Sequence, residues 1–299
     1  MSLENAVVLL RERDILCKTD ENVASRSSFK IGGSVALAVF PDSKEKLISA
    51  LSVLDSESVR YEVIGNASNL LFAFDRFDGA FVFTSGVCGV RVEGERIIAS
   101  CGSSLTYLAE LAAQNSLSGL EFAYGIPGLV GGSVYMNAGA YGSEMSNVLE
   151  SSLAYDVQNK TEIRLTDHGF GYRKSVYMSN RSLVCVEAVF NLKKGEESQI
   201  RQKMRENMTA RKEKQPLEFP SAGSYFKRPE GAFAGKLIED CGLKGAFIGG
   251  AEVSRKHAGF IINRGNATAS DVLALEEKIK EMVMSRYGIA LEREVRLIK

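Results

Sequence analysis

The sequence predicts an α+β protein of more than one domain. Three observations carry this expectation. At 299 residues the chain is long for a single hydrophobic core. Before residue 86, apolar residues alternate between helical and strand spacing. Beyond it come a strand-rich stretch and then a charged helical stretch that leads into a third region.

The elements follow in order. Leu3, Val7 and Leu10 share one helical face, so the chain opens on a short amphipathic helix. Between Ser27 and Pro41, Val35, Leu37 and Val39 alternate with small residues as in a strand, behind Gly32 and Gly33. Asp42 with Glu45 resembles a capping box for a helix whose face is Leu47, Leu51 and Leu54. Tyr61 to Ile64 is a short strand, and Leu70, Leu71 and Phe72 return to the core after a small-residue loop. Short strands lie between Phe81 and Cys101, and Leu105, Leu108 and Leu111 mark a helix. Val148 to Val157 and Thr161 to Leu165 form a hairpin around Gln158, Asn159 and Lys160, and Leu183 to Leu192 is a further strand. Gly195 to Pro216 has helical period, with Ile200, Met204 and Met208 in register; its charges form a solvated face. A helix from Phe233 to Cys241 stops at Gly242. Thr268 and Asp271 cap the last helix, whose face is Val272, Leu275, Ile279 and Val283 and which Gly288 ends. In a final strand, Leu291, Val295 and Leu297 face one way and Glu292, Glu294 and Arg296 the other.

Composition excludes several classes. With 37 basic and 37 acidic residues, the chain lacks the cationic excess of a general nucleic-acid binder. No apolar run approaches the ~20 residues of a membrane span, and no basic stretch followed by an apolar core suggests a secretory signal. The five cysteines are odd in number and contain no C-x-x-C, so reduced thiols in a cytoplasmic protein are expected. With only His168 and His257, neither a metal site nor a Ser-His-Asp triad is expected.

The most informative stretch runs from Gly125 to Gly142. It holds six glycines, Pro127 and no charge. Glycine lets backbone approach a ligand closely, and successive N–H groups can cradle a phosphate. A glycine-rich structural turn is the alternative, and no G-x-G-x-x-G opens a helix here, so a Rossmann site is not indicated. The loop Gly65, Asn66, Ala67, Ser68, Asn69 also leaves a strand with small hydrogen-bonding residues; a plain Asx turn reads equally well. Arg173 lies among aromatic residues, where its fork could hold a carboxylate or simply lie on the surface beside a tyrosine. Ser224 sits in a small-residue turn with Lys227 and Arg228 close behind, a pattern suited to a phosphate-bearing substrate.

Together and in this order, these stretches resemble the UDP-N-acetylenolpyruvoylglucosamine reductase family, in its shorter branch. The carrying motifs are FKIGG at Phe29 to Gly33, GNASNLL at Gly65 to Leu71, the long glycine-rich run, and GYRKS at Gly171 to Ser175. SAGSYFKRP at Ser221 to Pro229, KHAGFI at Lys256 to Ile261 and LEREV at Leu291 to Val295 complete the set. The resemblance implies three domains: 1–85 and 86–195 forming an FAD-binding unit of the vanillyl-alcohol oxidase type, and 196–299 binding substrate. It implies non-covalent FAD held by Gly65, Asn66, Ala67, Ser68, Asn69 and Leu70 on one loop. On the other it implies Gly125, Ile126, Pro127, Gly128, Val130, Gly131, Gly132, Asn137, Gly139 and Ala140. NADPH is the implied co-substrate and a UDP-sugar the implied substrate, with Lys227 and Arg228 binding it. The implied catalytic set is Ser224 as proton donor, Arg173 at the enolpyruvyl group and Glu294 near the C-terminus. Serine is a poor acid unaided, and Lys227, close by in the sequence, is a candidate to steady its alkoxide. Three positions depart from the family pattern: Ala67 for glycine, Leu129 for a small hydroxyl residue, and Arg293 for proline, which implies a less rigid strand. Two other classes stay open: another FAD-dependent oxidoreductase of the superfamily, or a non-catalytic nucleotide-binding module.

Overall fold

The computed structural model describes residues 2–299. Helix makes up 34% and strand 29% of the chain, which bears out the mixed α+β class. The chain divides into two compact units. The first comprises residues 2–20, Ala36–Asn66 and Asp78–Thr209; the second comprises Glu21–Val35, Ala67–Phe77 and Ala210–Lys299.

The first unit has two hydrophobic cores. In one, the helices Leu3–Glu12 and Lys44–Ser56 bury Leu10, Leu47, Leu51 and Leu54 against Leu37, Val39 and Val82. These strand residues belong to a four-stranded sheet ordered Leu16–Asn22, Ser34–Phe40, Arg76–Phe83, Tyr61–Ile64, whose last two strands pair in parallel. Ala36 to Val39 are all buried, so both faces of this strand are covered and the expected alternation is one of size, alanine against leucine or valine. The second core lies on a five-stranded antiparallel sheet ordered Thr161–Leu165, Leu149–Asp156, Leu183–Asn191, Arg96–Ser100, Val90–Glu93. The hairpin expected around Gln158 to Lys160 is present, with Lys160 in the left-handed region at φ 54°. Helices Leu105–Gln114 and Val130–Met136 contribute Leu105, Leu108, Ala112, Val130 and Val134 to this core.

In the second unit, the helix Ala269–Tyr287 buries Val272, Leu275, Ile279 and Val283, packed in one core with Val253 and Ile261 of a three-stranded antiparallel sheet. Thr268 and Asp271 form the expected reciprocal cap, and Gly288 closes the helix in the left-handed conformation at φ 66°. The helix Ala234–Asp240 stops at Cys241, with Gly242 at φ 73°. A two-stranded parallel pair joins Leu70–Phe72 to Arg296–Ile298.

Four local expectations change. The second helix is capped by Ser43, not Asp42: Ser43 has extended backbone and its hydroxyl accepts from the Lys46 N–H, while Asp42 pairs with the Lys46 ammonium at 3.2 Å. The buried stripe of Leu105–Gln114 runs through Ala109 and Ala112 instead of Leu111, because small residues let the helix approach its sheet. The last strand is only Arg296–Ile298, with Leu291, Val295 and Ile298 buried, because the alternation slips by one where the regular ladder starts. The glycine-rich run also contains a helix, Val130–Met136, which its glycines hide from any propensity argument.

Candidate functional site

The first unit holds Gly65, Asn66, the glycine-rich run and Arg173. The Asn66 side-chain amide donates to the Pro127 carbonyl at 2.8 Å, and a Cβ at Gly65 would stand 3.8 Å from Leu129. The two loops singled out in the sequence are therefore neighbours, though 61 residues separate Asn66 from Pro127. Leu129 stands at the N-cap of the helix Val130–Met136 with extended backbone and makes no side-chain capping bond. The N–H groups of Val130 and Gly131 donate to the Ser103 and Cys101 carbonyls at 2.9 and 2.8 Å, so these two already have acceptors within the protein.

The glycines of this helix differ in purpose. A Cβ at Gly131 would stand 2.9 Å from the Cys101 Cβ, so glycine is required there for close packing; at Gly132 it would meet nothing within 4 Å. Gly132 and Pro127 are exposed and Gly125, Ile126, Gly128, Gly139 and Ala140 are half-buried; none of these residues is charged, although the Arg173 guanidinium and Glu144 lie against Gly139. The FAD-binding role that the family resemblance implies for Gly132 would use this open backbone, which a ligand can approach closely. We expect Gly132→Ala to keep the apo fold intact, or stabilise it by up to about 1 kcal/mol through helix propensity, while lowering the FAD retained per protein. Gly131→Ala should instead destabilise by about 1–3 kcal/mol through overpacking. Denaturant melts of the apo proteins beside flavin absorbance of the holo proteins check both; equal behaviour of the two variants would contradict this division.

Asn137 ends the helix in the left-handed region at φ 43° and is fully buried. Its side-chain amide donates to Glu144 Oε1 at 2.9 Å and to the Gly171 carbonyl at 3.0 Å, and its oxygen accepts from the Ser146 N–H. This ties the end of the glycine-rich run to the turn bearing Arg173. Arg173 has φ 52°, unusual for a residue with a side chain. Its guanidinium donates to the Asn137 and Gly139 carbonyls, each at 3.3 Å, and lies 5.1 Å from the Tyr172 ring centroid. Beneath this turn, Ser175 Oγ donates to the Tyr135 carbonyl, and Ser152 bonds to both His168 Nε2 and Tyr177. Burial lowers the His168 pKa, opposed by the charge of Asp167, so the ring favours its neutral form.

The second unit holds Ala67, Ser68, Asn69, Leu70, Ser224, Lys227, Arg228 and Glu294. Ala67, where the family resemblance expects glycine, adopts φ 47°, the conformation that glycine takes without cost. The Asn69 amide donates to the Glu294 carbonyl at 3.2 Å, and the Asn69 carbonyl accepts from the Arg296 N–H at 3.0 Å. The Glu294 N–H donates to the Tyr225 carbonyl and the Lys227 N–H to the Glu292 carbonyl, both at 2.8 Å. Ser224 and Glu294 thus sit on two segments joined backbone to backbone, with Asn69 on the far side of Glu294. Ser224 is exposed. The Lys227 ammonium pairs with Glu292 at 2.9 Å and lowers that carboxyl's pKa, so it is engaged with a carboxylate as well as standing near Ser224 in sequence. Arg228 lies 4.0 Å over the Phe233 ring.

Sequence reading missed Glu276 and Tyr225. A glutamate inside an apolar helical face reads as one of the charged residues of a solvated side, and only its partners reveal otherwise. Among the described residues, no group of three or more His, Cys, Asp or Glu could hold a metal ion, and no helix is long and apolar enough to cross a membrane.

Known proteins match along nearly the whole chain. A family described as "FAD binding domain" matches residues 35–159, spanning both small-residue loops, and "UDP-N-acetylenolpyruvoylglucosamine reductase, C-terminal domain" matches residues 215–298. The UDP-N-acetylenolpyruvoylglucosamine reductase of Caldanaerobacter subterraneus subsp. tengcongensis is 45% identical over 280 residues, covering 93% of this chain and 92% of that protein. That of Clostridium novyi is 44% identical over 273 residues, covering 91% and 89%. The crystal structure of UDP-N-acetylenolpyruvylglucosamine reductase from Thermus caldophilus matches with a TM-score of 0.79 at 30% identity, over 95% of this chain and 99% of that one. An alkyldihydroxyacetonephosphate synthase, 15% identical with a TM-score of 0.51 over 65% of this chain and 41% of its own, shares the fold. On the strength of near-full-length identity, the chain belongs to the UDP-N-acetylenolpyruvoylglucosamine reductase family.

Proposed function

We propose that this protein is an FAD-dependent oxidoreductase that uses NADPH to reduce the enolpyruvyl ether of UDP-N-acetylglucosamine enolpyruvate, giving UDP-N-acetylmuramate for peptidoglycan synthesis. The observation that carries this reading is 45% identity across 93% of the chain to a reductase of that name. The division of labour we propose is 1–85 and 86–195 for FAD and 196–299 for substrate. FAD, when bound, would supply the redox chemistry, with NADPH as the hydride source and the terminal carbon of the enolpyruvyl group as the hydride acceptor.

The chain's own residues do the rest. Gly65 to Leu70 and the glycine-rich run from Gly125 to Ala140 hold the cofactor, through backbone that glycine lets come close. Arg173 faces the substrate carboxylate and stabilises the negative charge that develops on that side of the double bond. Its two carbonyl partners fix the guanidinium plane in advance. Ser224 Oγ delivers a proton to the carbon that carries the ether oxygen, so hydride and proton together saturate the double bond. Glu294 orients the substrate carboxyl group or shares its proton. Lys227 and Arg228 receive the diphosphate. A cytoplasmic location suits this role, and the five free cysteines are in keeping with a reducing compartment.

The test is direct. Purified protein should carry flavin that acid precipitation releases to the supernatant, and NADPH consumption should depend on the enolpyruvyl sugar nucleotide. Flavin left in the pellet would overturn non-covalent binding. NADPH oxidation indifferent to that substrate would favour another flavin oxidoreductase, and a protein that takes up no flavin would point to a plain nucleotide binder.

A further inference from the structure

The helix Ala269–Tyr287 carries a carboxylate on its buried face. Glu276 is 0% exposed, beside Val272, Leu275 and Ile279. Its Oε2 accepts from the Tyr225 hydroxyl at 2.7 Å and from Arg293 Nε at 2.7 Å; its Oε1 accepts from Arg293 Nη2 at 3.0 Å and pairs with Lys280 Nζ at 2.6 Å. Burial opposes its ionisation, but the bonds from Arg293, Lys280 and Tyr225 outweigh it and lower the pKa. The carboxylate is therefore fully partnered, with the bidentate fork that only arginine provides.

A buried ion pair adds little stability over a well-packed apolar replacement, because desolvation offsets the attraction. What it does supply is direction, and here the direction is specific. Tyr225 follows Ser224, and Arg293 precedes Glu294. Between these two segments the backbone makes an isolated bridge, Phe226 to Arg293, flanked by the bond at Glu292 and by the Glu294 and Val295 N–H groups, which share the Tyr225 carbonyl at 2.8 and 3.4 Å. Regular strand begins only at Arg296. A short, irregular pairing of this kind can slip, and the Glu276 carboxylate clamps one side chain from each segment. Arg293 thus stiffens a stretch where the loss of the family's proline implied less rigidity.

We propose that Glu276 is a positioning residue for reduction of the substrate. Through Tyr225 and Arg293 it sets the Ser224 turn against the Glu294 segment. This inference rests on the roles given above to Ser224 and Glu294. It concerns proton delivery and substrate orientation, and so predicts an effect on one half-reaction only.

The experiment uses the holoenzymes of Glu276→Gln and Tyr225→Phe in stopped flow, with flavin reduction by NADPH and flavin reoxidation by the enolpyruvyl sugar nucleotide followed separately. Reoxidation should fall about 10- to 100-fold in Glu276→Gln, the scale of a displacement near 1 Å, and by several-fold in Tyr225→Phe. Reduction by NADPH should stay within about twofold in both, since a proton-delivery defect leaves that step untouched. The double variant should be no slower than Glu276→Gln, because Tyr225 acts through the same carboxylate. Tyr225→Phe loses one hydroxyl and keeps the ring packing, so it decides the matter should Glu276→Gln fail to fold. Equal slowing of both half-reactions, or parental reoxidation despite a lowered Tm, would show that the cluster serves only the fold. Slow reoxidation in Ser224→Ala with parental reoxidation in both cluster variants sinks this inference alone. Parental reoxidation in Ser224→Ala removes the Ser224 assignment and this inference with it.

Discussion

Ser224→Ala is expected to keep its FAD and its reduction by NADPH, and to lose at least the ~10²-fold in substrate-dependent turnover typical of a positioned proton donor. The hydroxyl is exposed in a small-residue turn, so its removal opens no cavity in the core. The turn itself is held by other groups: the Tyr225 carbonyl accepts from the Glu294 N–H, and the Lys227 N–H donates to Glu292. Loss of rate in this variant therefore reports on chemistry and not on folding. Ser224→Cys should recover part of the loss, because a thiol, with a pKa of about 8.5, is a far stronger acid than an alcohol. If Ser224 only shapes the turn, alanine will be nearly neutral and cysteine no better. Turnover of the alanine variant within about threefold of the parent would end the assignment, being far short of the donor effect.

Arg173→Lys should separate the half-reactions from the other side. Flavin reduction by NADPH should be nearly unchanged, and reoxidation by substrate should slow by about 10²-fold, the scale of losing one preorganised charge-stabilising donor. Lysine keeps the charge but not the planar fork. In the structure that fork is held by the carbonyls of Asn137 and Gly139, both on the glycine-rich run, and a single ammonium cannot reproduce both bonds in one plane. The residue's left-handed backbone adds to this specificity, since strain at one position is kept only where the surroundings over-determine it. Stopped flow that shows both halves slowed alike would remove Arg173 from the enolpyruvyl group.

Much of the fold was legible because it is local. The cap at Thr268 and Asp271, the glycines that stop helices at Gly242 and Gly288, and the hairpin around Lys160 all depend on residues within a few positions of one another. Failures arose where a tertiary contact overrode a local rule. The helix Val130–Met136 went unseen because Gly131 and Gly132 weaken helix propensity, and Gly131 is demanded by close contact with Cys101, 30 residues earlier in the chain. The cap of Lys44–Ser56 was misplaced by one residue because Asp42 and Ser43 are both good caps, and only backbone geometry chooses between them.

By itself the sequence determined the family, through motifs that extend over nearly the whole chain, and with the family the residue types the chemistry needs. Tertiary structure alone decided how those residues are held. Asn66 meets Pro127 across 61 residues, and Arg173 meets Asn137 across 36. Glu276 gathers Tyr225 from 51 residues away and Arg293 from 17. Such pairings carry no periodic signal. A hydrogen bond or ion pair inside a core forms only after apolar burial has brought distant segments together, and the side chains that make it look, in the sequence, like any other polar residue.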